Sequence, residues 1–284
     1  MPPIAAPYLA DVSTRLVTSA KSKRTYQISV AFPSGYATNH EPYPVLFAAD
    51  ANSDFGMVVE IARLLSLEKK IPDVLVVGIG YANPGQGYTA SFGPRALDLT
   101  LTSDSAMLSV IQDVAKELGS PVPTKIGGAP EFLNFIRTEL VPSIESTYNV
   151  SHSDRSWFGH SLGGLFGIYA MLNNDGLFQR FLISSPSLPE ERSIFKSEDR
   201  YFATHKKLTA RVYFAVGAEE EKDDPMVSDL RAFTAQLDTH HYQGLESNTT
   251  VFDGESHLSV IPETISKGLR FIFANSAGLA GTKQ

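Results

Sequence analysis

The residues Trp157-Phe158-Gly159-His160-Ser161-Leu162-Gly163-Gly164-Leu165-Phe166-Gly167 constrain this chain more than any other segment. They hold its one Gly-x-Ser-x-Gly pattern, set between a short apolar run, Ser156–Phe158, and a longer apolar stretch, Leu165–Leu172. The pattern has a mechanical meaning: a strand turns into a helix at a single residue, which is held in a strained conformation with its side chain projecting from the end of a sheet. Glycines two before and two after leave room for the close backbone approach. Leu162, next in line, points its backbone N–H outward from a helix N-terminus, where the helix dipole is positive and developing negative charge is stabilised. Ser161 is therefore the candidate nucleophile, and the Leu162 amide a candidate oxyanion donor. The plainer reading is a tight strand-to-helix turn in which Ser161 only caps the helix.

Elsewhere short apolar runs alternate with stretches of helical spacing. The runs are Pro44–Ala49, Asp73–Tyr81, Phe181–Ser184, Arg211–Val216 and Thr249–Phe252. The helical stretches are Phe55–Leu67, Ala129–Tyr148, Met226–Leu237 and Ile261–Phe273. Short buried strands separated by helices predict an α/β protein with a mainly parallel central sheet flanked by helices. Residues 11–33, with the basic turn Lys21–Arg24 ahead of the alternating TYQISVAF, predict an N-terminal antiparallel hairpin. With 284 residues, 43% of them apolar, and no repeat or linker in sight, a single domain over 1–284 is expected. Two stretches, 85–125 and 186–209, show little period and are expected to be loops that serve as lids or binding walls.

A serine hydroxyl needs a base within reach, and the base needs a group to orient it. On sheets with this kind of turn the acid and then the histidine follow the serine in chain order. Of seven histidines, His40 and His152 precede Ser161, and His160 adjoins it as a packed residue expected to point away. His205 lies in the polar stretch, while His240 and His241 end a helix, where a cation suits the dipole. His257 alone follows the last strand, in the loop Gly254–Val260 before the final helix. It is the expected base, against the alternative of a surface histidine capping that helix. The acid belongs in the loop after the penultimate strand, which reads Gly217-Ala218-Glu219-Glu220-Glu221-Lys222-Asp223-Asp224-Pro225. Position favours Glu220, with Glu219 and Asp224 as alternatives and a solvated acidic run describing the remainder. A second oxyanion amide is expected after Pro44–Ala49, at Ala51, with Asp50 as a turn residue and Asn52 in either role.

Composition excludes other chemistries. The formal net charge is −7 and Lys and Arg are scattered, so no basic stripe offers itself to nucleic acid or to an anionic membrane. There is no cysteine, hence no disulfide, thiolate metal site or cysteine nucleophile. No set of His, Asp and Glu has metal-ligand spacing, so no metal or other cofactor is expected. The first residues lack both a basic region and a continuous apolar run, and Val74–Val77 falls far short of the ~20 apolar residues of a membrane helix. The expectation is a soluble cytoplasmic protein.

Several segments carry a resemblance. Gly127-Gly128-Ala129-Pro130-Glu131-Phe132-Leu133 leads through Glu139-Leu140-Val141-Pro142 into GHSLGGLFG, and the tail reads FDGESHLSVIPETISKGLRFIF. The early YPVLFAADAN and the segment PRALDLTLT belong with them. Together they resemble the "putative esterase" branch of the α/β-hydrolases, which includes bacterial siderophore (trilactone) esterases and esterase D-like enzymes. The resemblance implies an α/β-hydrolase fold and a serine esterase acting through an acyl-enzyme on small-molecule esters, among them siderophores or other multi-ester or lactone substrates. A general short-chain carboxylesterase and an acyltransferase share the same fold and motif. A binding protein without catalysis is disfavoured by the intact Ser–Glu–His order. The resemblance further implies Ser161 and His257 as catalytic and the Ala51 and Leu162 amides as oxyanion donors, and it leaves a Ser–His pair without an acid as an alternative. Ala51 stands where the family has glycine. Arg95 is implied either as a contact to an anionic or carbonyl-rich substrate or as the partner of Asp98.

Overall fold

The computed structural model describes residues 9–274 except 38–39, 83–86, 174 and 190. Eight strands form one sheet: β1 (Val12–Thr18), β2 (Thr25–Ala31), β3 (Tyr43–Ala48), β4 (Leu75–Tyr81), β5 (Val150–His160), β6 (Arg180–Ser184), β7 (Lys207–Gly217) and β8 (Gln243–Phe252). Their order is β1-β2-β4-β3-β5-β6-β7-β8. The leading hairpin joins the sheet antiparallel, Tyr26 opposite Tyr81, and every pairing from β4 to β8 is parallel. Parallel neighbours need crossovers, and the crossover helices cover both faces.

The strand residues sort by the period of two. Leu46, Ala48, Phe158, Leu182 and Tyr213 face one side, covered by α1 (Phe55–Leu67) and by the last helix, Val260–Ile272. Val45, Phe47, Trp157, Phe181, Ile183 and Phe214 face the other side and its larger core. At the centre of that core lies the helix Leu162–Leu172, with all but one residue buried. A helix apolar all round is what a fully enclosed position demands. The stretch 129–147 is helical throughout, but it widens into a π turn at Ile136–Leu140. Pro142 has no N–H to give the carbonyl of Thr138, and its ring would crowd that carbonyl, so the ladder slips by one residue.

The two stretches expected to be loops are largely helical. Within 85–125 lie α2 (Gly87–Leu99) and α3 (Ser105–Glu117), and within 186–209 lies α7 (Ser193–Thr204), with α4 (Ala129–Phe135), α5 (Val141–Thr147) and α6 (Leu162–Leu172) between them. Pro94 inside α2 hides that helix, since its ring normally ends one. Packing overrides the propensity, with Arg95, Ala96, Asp98 and Leu99 fully buried. In α7 the buried face includes a carboxylate, Glu198, whose oxygens accept from His240 Nδ1 at 2.8 Å, Tyr242 Oη at 2.6 Å and Gln236 Nε2 at 2.6 Å. A polar residue on the inner face erases the apolar period. The two stretches are also fastened together: buried Glu191 accepts from Thr102 Oγ1 at 2.6 Å and from the Thr102 amide at 3.2 Å.

Candidate active site

Ser161 stands between β5 and α6 with φ 59° and ψ −120°. A non-glycine residue holds such angles only where its surroundings over-determine them. Here the Ser161 amide donates to the Ser184 carbonyl at 2.9 Å, and its own carbonyl accepts from Leu165 at 3.0 Å and Ser187 at 3.2 Å. A Cβ on Gly159 would stand 2.0 Å from the Gly163 carbonyl oxygen, so only glycine allows strand and helix to meet. The Ser161 side chain makes no capping bond to its helix. Its hydroxyl shares a hydrogen bond with Ser187 Oγ at 3.2 Å instead, and the Leu162 amide, at the helix start, has no acceptor among the described hydrogen bonds.

β7 runs at Gly217 into a 3₁₀ turn, Ala218–Lys222. Glu220 points inward from that turn, its side chain 2% exposed. One oxygen accepts from the Gly217 amide and from Ser185 Oγ, both at 2.7 Å; the other takes His257 Nδ1 at 2.6 Å. The Glu219 amide donates to the Glu255 carbonyl at 3.0 Å, fastening the turn of Glu220 to the loop of His257. A carboxylate on Nδ1 fixes the histidine tautomer and leaves Nε2 free to accept a proton. Of the three acids expected after β7, Glu220 alone meets the imidazole among the described contacts. Glu219 pairs with Lys222, and Asp224 lies exposed on the rim. Ser161, Ser187, Glu220, Met226, Ser256 and His257 share one open cleft of about 410 Å³. The arrangement offers a nucleophile, a base with its orienting acid, and a helix-start amide.

Known proteins share this scaffold. Residues 105–267, more than half of the chain, match the family model described as "Putative esterase". The ferri-bacillibactin esterase BesA of Bacillus subtilis is 32% identical over 272 residues, spanning 93% of this chain and 90% of its own length. The chain belongs to this esterase family. The siderophore triacetylfusarinine C esterase of Aspergillus fumigatus is 26% identical, covering 87% of this chain and 88% of its own. Among solved structures, the BES protein from Bacillus cereus superposes with a TM-score of 0.79 at 28% identity, over 95% of this chain and 97% of that one. The esterase is a serine hydrolase of the α/β-hydrolase fold.

Two expectations for the esterase need correction. The Ala51 amide is not free for an oxyanion, because it donates to the Ile79 carbonyl at 3.2 Å. Asp50 takes φ 54°, which turns the backbone and extends the ladder to β4 by one residue. The next amide of the same turn, Asn52, is unengaged among the described hydrogen bonds, while the Asn52 side chain grips both the amide (2.7 Å) and the carbonyl (3.1 Å) of Tyr81. Arg95 is not the partner of Asp98. It is wholly buried on two bonds to Asp50, at 2.6 and 2.8 Å, and a third to the His160 carbonyl at 3.2 Å. Asp98 faces Arg24 instead, at 2.8 Å.

Electrostatics around this ion pair are tense. Burial, with the negative charge of Asp50, raises the pKa of Asp54 to about 7, Arg95 opposing the shift. Two serines that sequence reasoning passed over also touch the site. Ser185 (φ 38°) and Ser187, in the loop after β6, hold Glu220 and Ser161 respectively. Their one signal was the Ser-Ser-Pro-Ser run at the start of a stretch already expected to wall the site. His160 is packed as expected, but it does not turn away: its ring centroid lies 4.5 Å from that of His257.

Proposed function

We propose that this esterase hydrolyses siderophore esters through a Ser161–His257–Glu220 triad. One observation carries the assignment: the 2.6 Å bond between His257 Nδ1 and Glu220 Oε2, in the cleft that holds the strained Ser161. His257 Nε2 takes the Ser161 proton as Oγ leaves Ser187 and attacks the ester carbonyl; catalytic hydrogen bonds commonly tighten only with substrate bound. The Leu162 and Asn52 amides receive the oxyanion. The imidazolium then protonates the departing alcohol, and water activated by the same histidine releases the acid and restores Ser161. Glu220 stays ionised throughout, stabilising the imidazolium.

The substrate class is supported by the relatives, which are named for ferri-bacillibactin and triacetylfusarinine C. The test is hydrolysis of siderophores, lactones and short-chain esters by wild type beside Ser161→Ala, with product analysis in the presence of added alcohols. Siderophores should be cleaved with the highest kcat/KM, and Ser161→Ala should lose about six orders of magnitude in kcat. Equal activity in the two proteins would refute the nucleophile; exclusive turnover of short-chain esters would refute the substrate.

A further inference from the structure

His160 closes β5, one residue before the nucleophile, and is 2% exposed. Its Nδ1 lies 3.0 Å from Ser184 Oγ. The Ser184 hydroxyl also lies 3.5 Å from Thr264 Oγ1. His160 Nε2 is buried and has no hydrogen-bond partner among the described residues. A buried ring nitrogen left unpaired costs free energy that an apolar ring at the same place would not. The neighbouring ring supplies a reason for it. The His257 and His160 planes meet at 47° with centroids 4.5 Å apart, inside the ~6 Å over which an electron-rich ring face attracts a cation.

We infer that His160 is a positioning residue for the reaction: a permanently uncharged ring that seats His257 and stabilises the imidazolium formed when Ser161 gives up its proton. The inference rests on Ser161 as nucleophile and His257 as base. Burial above all, then the positive charges of His257 and Arg95, hold the His160 pKa well below the ordinary histidine value, so His160 does not compete for the proton. Arg95 sits behind it on the His160 carbonyl, its charge countered by Asp50. The other charged groups around His257 are Glu220 on Nδ1 and, about the cleft, Glu219, Lys222, Asp223 and Asp224. None of these lies in the substitutions below, so a change in the profile reports the ring at residue 160.

The experiment is the pH dependence of kcat/KM for wild type, His160→Ala and His160→Phe, with active sites counted by a fluorophosphonate. His257 must be neutral to act, so the acid limb reports its proton uptake. In His160→Ala the acid limb should move down by about one pH unit and the plateau per titrated site should fall roughly tenfold, one unit being a tenfold change in equilibrium. His160→Phe keeps a ring face, and a phenyl face attracts a cation more strongly than a neutral imidazole, so its acid limb should move up rather than down. It also carries the test if His160→Ala does not fold. A purely structural histidine would lower the number of titrated sites and leave the profile per site unchanged, and that result overturns the inference. Ser161→Ala, run in parallel, separates the failures: if it keeps wild-type activity, the nucleophile assignment falls and the role of His160 with it.

Discussion

Glu220 sits where a single oxygen atom is already claimed twice, by the Gly217 amide and by Ser185, before the other meets His257. Three donors hold one carboxylate, so the imidazole inherits its orientation from the end of β7 and from the loop after β6. Glu220→Gln should keep the fold and cost about 10³–10⁴ in kcat, as loss of the orienting acid does in serine hydrolases generally. Asp224→Asn, on the exposed rim, should cost far less; comparable losses in the two would mean that the acid is misassigned. Asp54 makes a prediction of the opposite kind. Its folded pKa of about 7 lies above its ordinary 3.8, so the folded state binds the proton more tightly. Its contribution therefore weakens as pH rises between those values and is constant above them. Asp54→Asn should raise the thermal midpoint more at pH 8 than at pH 5, and equal shifts at both would show that Asp54 titrates normally.

Among elements, those with one clean apolar face were readable in advance and those with a compromised face were not. Phe55–Leu67 matches α1 residue for residue, and Met226–Leu237 falls short of its helix, Met226–His240, only in the last turn. α7 escaped because buried Glu198 looks like a surface residue in a sequence, and α2 because of Pro94. α3 carried better signals than were used: Met107, Ile111 and Ala115 are buried four apart, and Asp104 accepts from the Ala106 and Met107 amides at 2.9 Å. Asp104→Ala should therefore cost about 0.5–2 kcal/mol in chemical denaturation, the usual worth of an N-cap, and leave kcat alone. The places of Ser161, His257 and Glu220 around one cleft were legible because chain order and strand ends locate them. The free amide was not, because which N–H a turn leaves unpaired depends on the φ of Asp50, a quantity composition does not carry. The same limit hid the partners of Arg95 and Asp98, whose charges choose neighbours in space rather than in sequence.

Across the whole molecule, the sheet gathers residues from far apart in the chain at one end. Arg95, from α2, joins Asp50 after β3 to the His160 carbonyl at the end of β5. Replacing it by Met would leave Asp50 charged, buried and beside Asp54. Arg95→Met should cost about 3–5 kcal/mol, as removal of one partner of a buried pair does. Equilibrium denaturation measures this directly, and a loss under 1 kcal/mol would show that the pair is not carrying the packing around it.

The same guanidinium acts as a spacer of fixed length. The turn of Asp50 and the end of the strand before Ser161 hang from its two sides, so neither can drift without stretching a buried ion pair or hydrogen bond. The catalytic geometry should then hold its calibration on warming for as long as the sheet survives, with activity and tertiary circular dichroism vanishing in a single step.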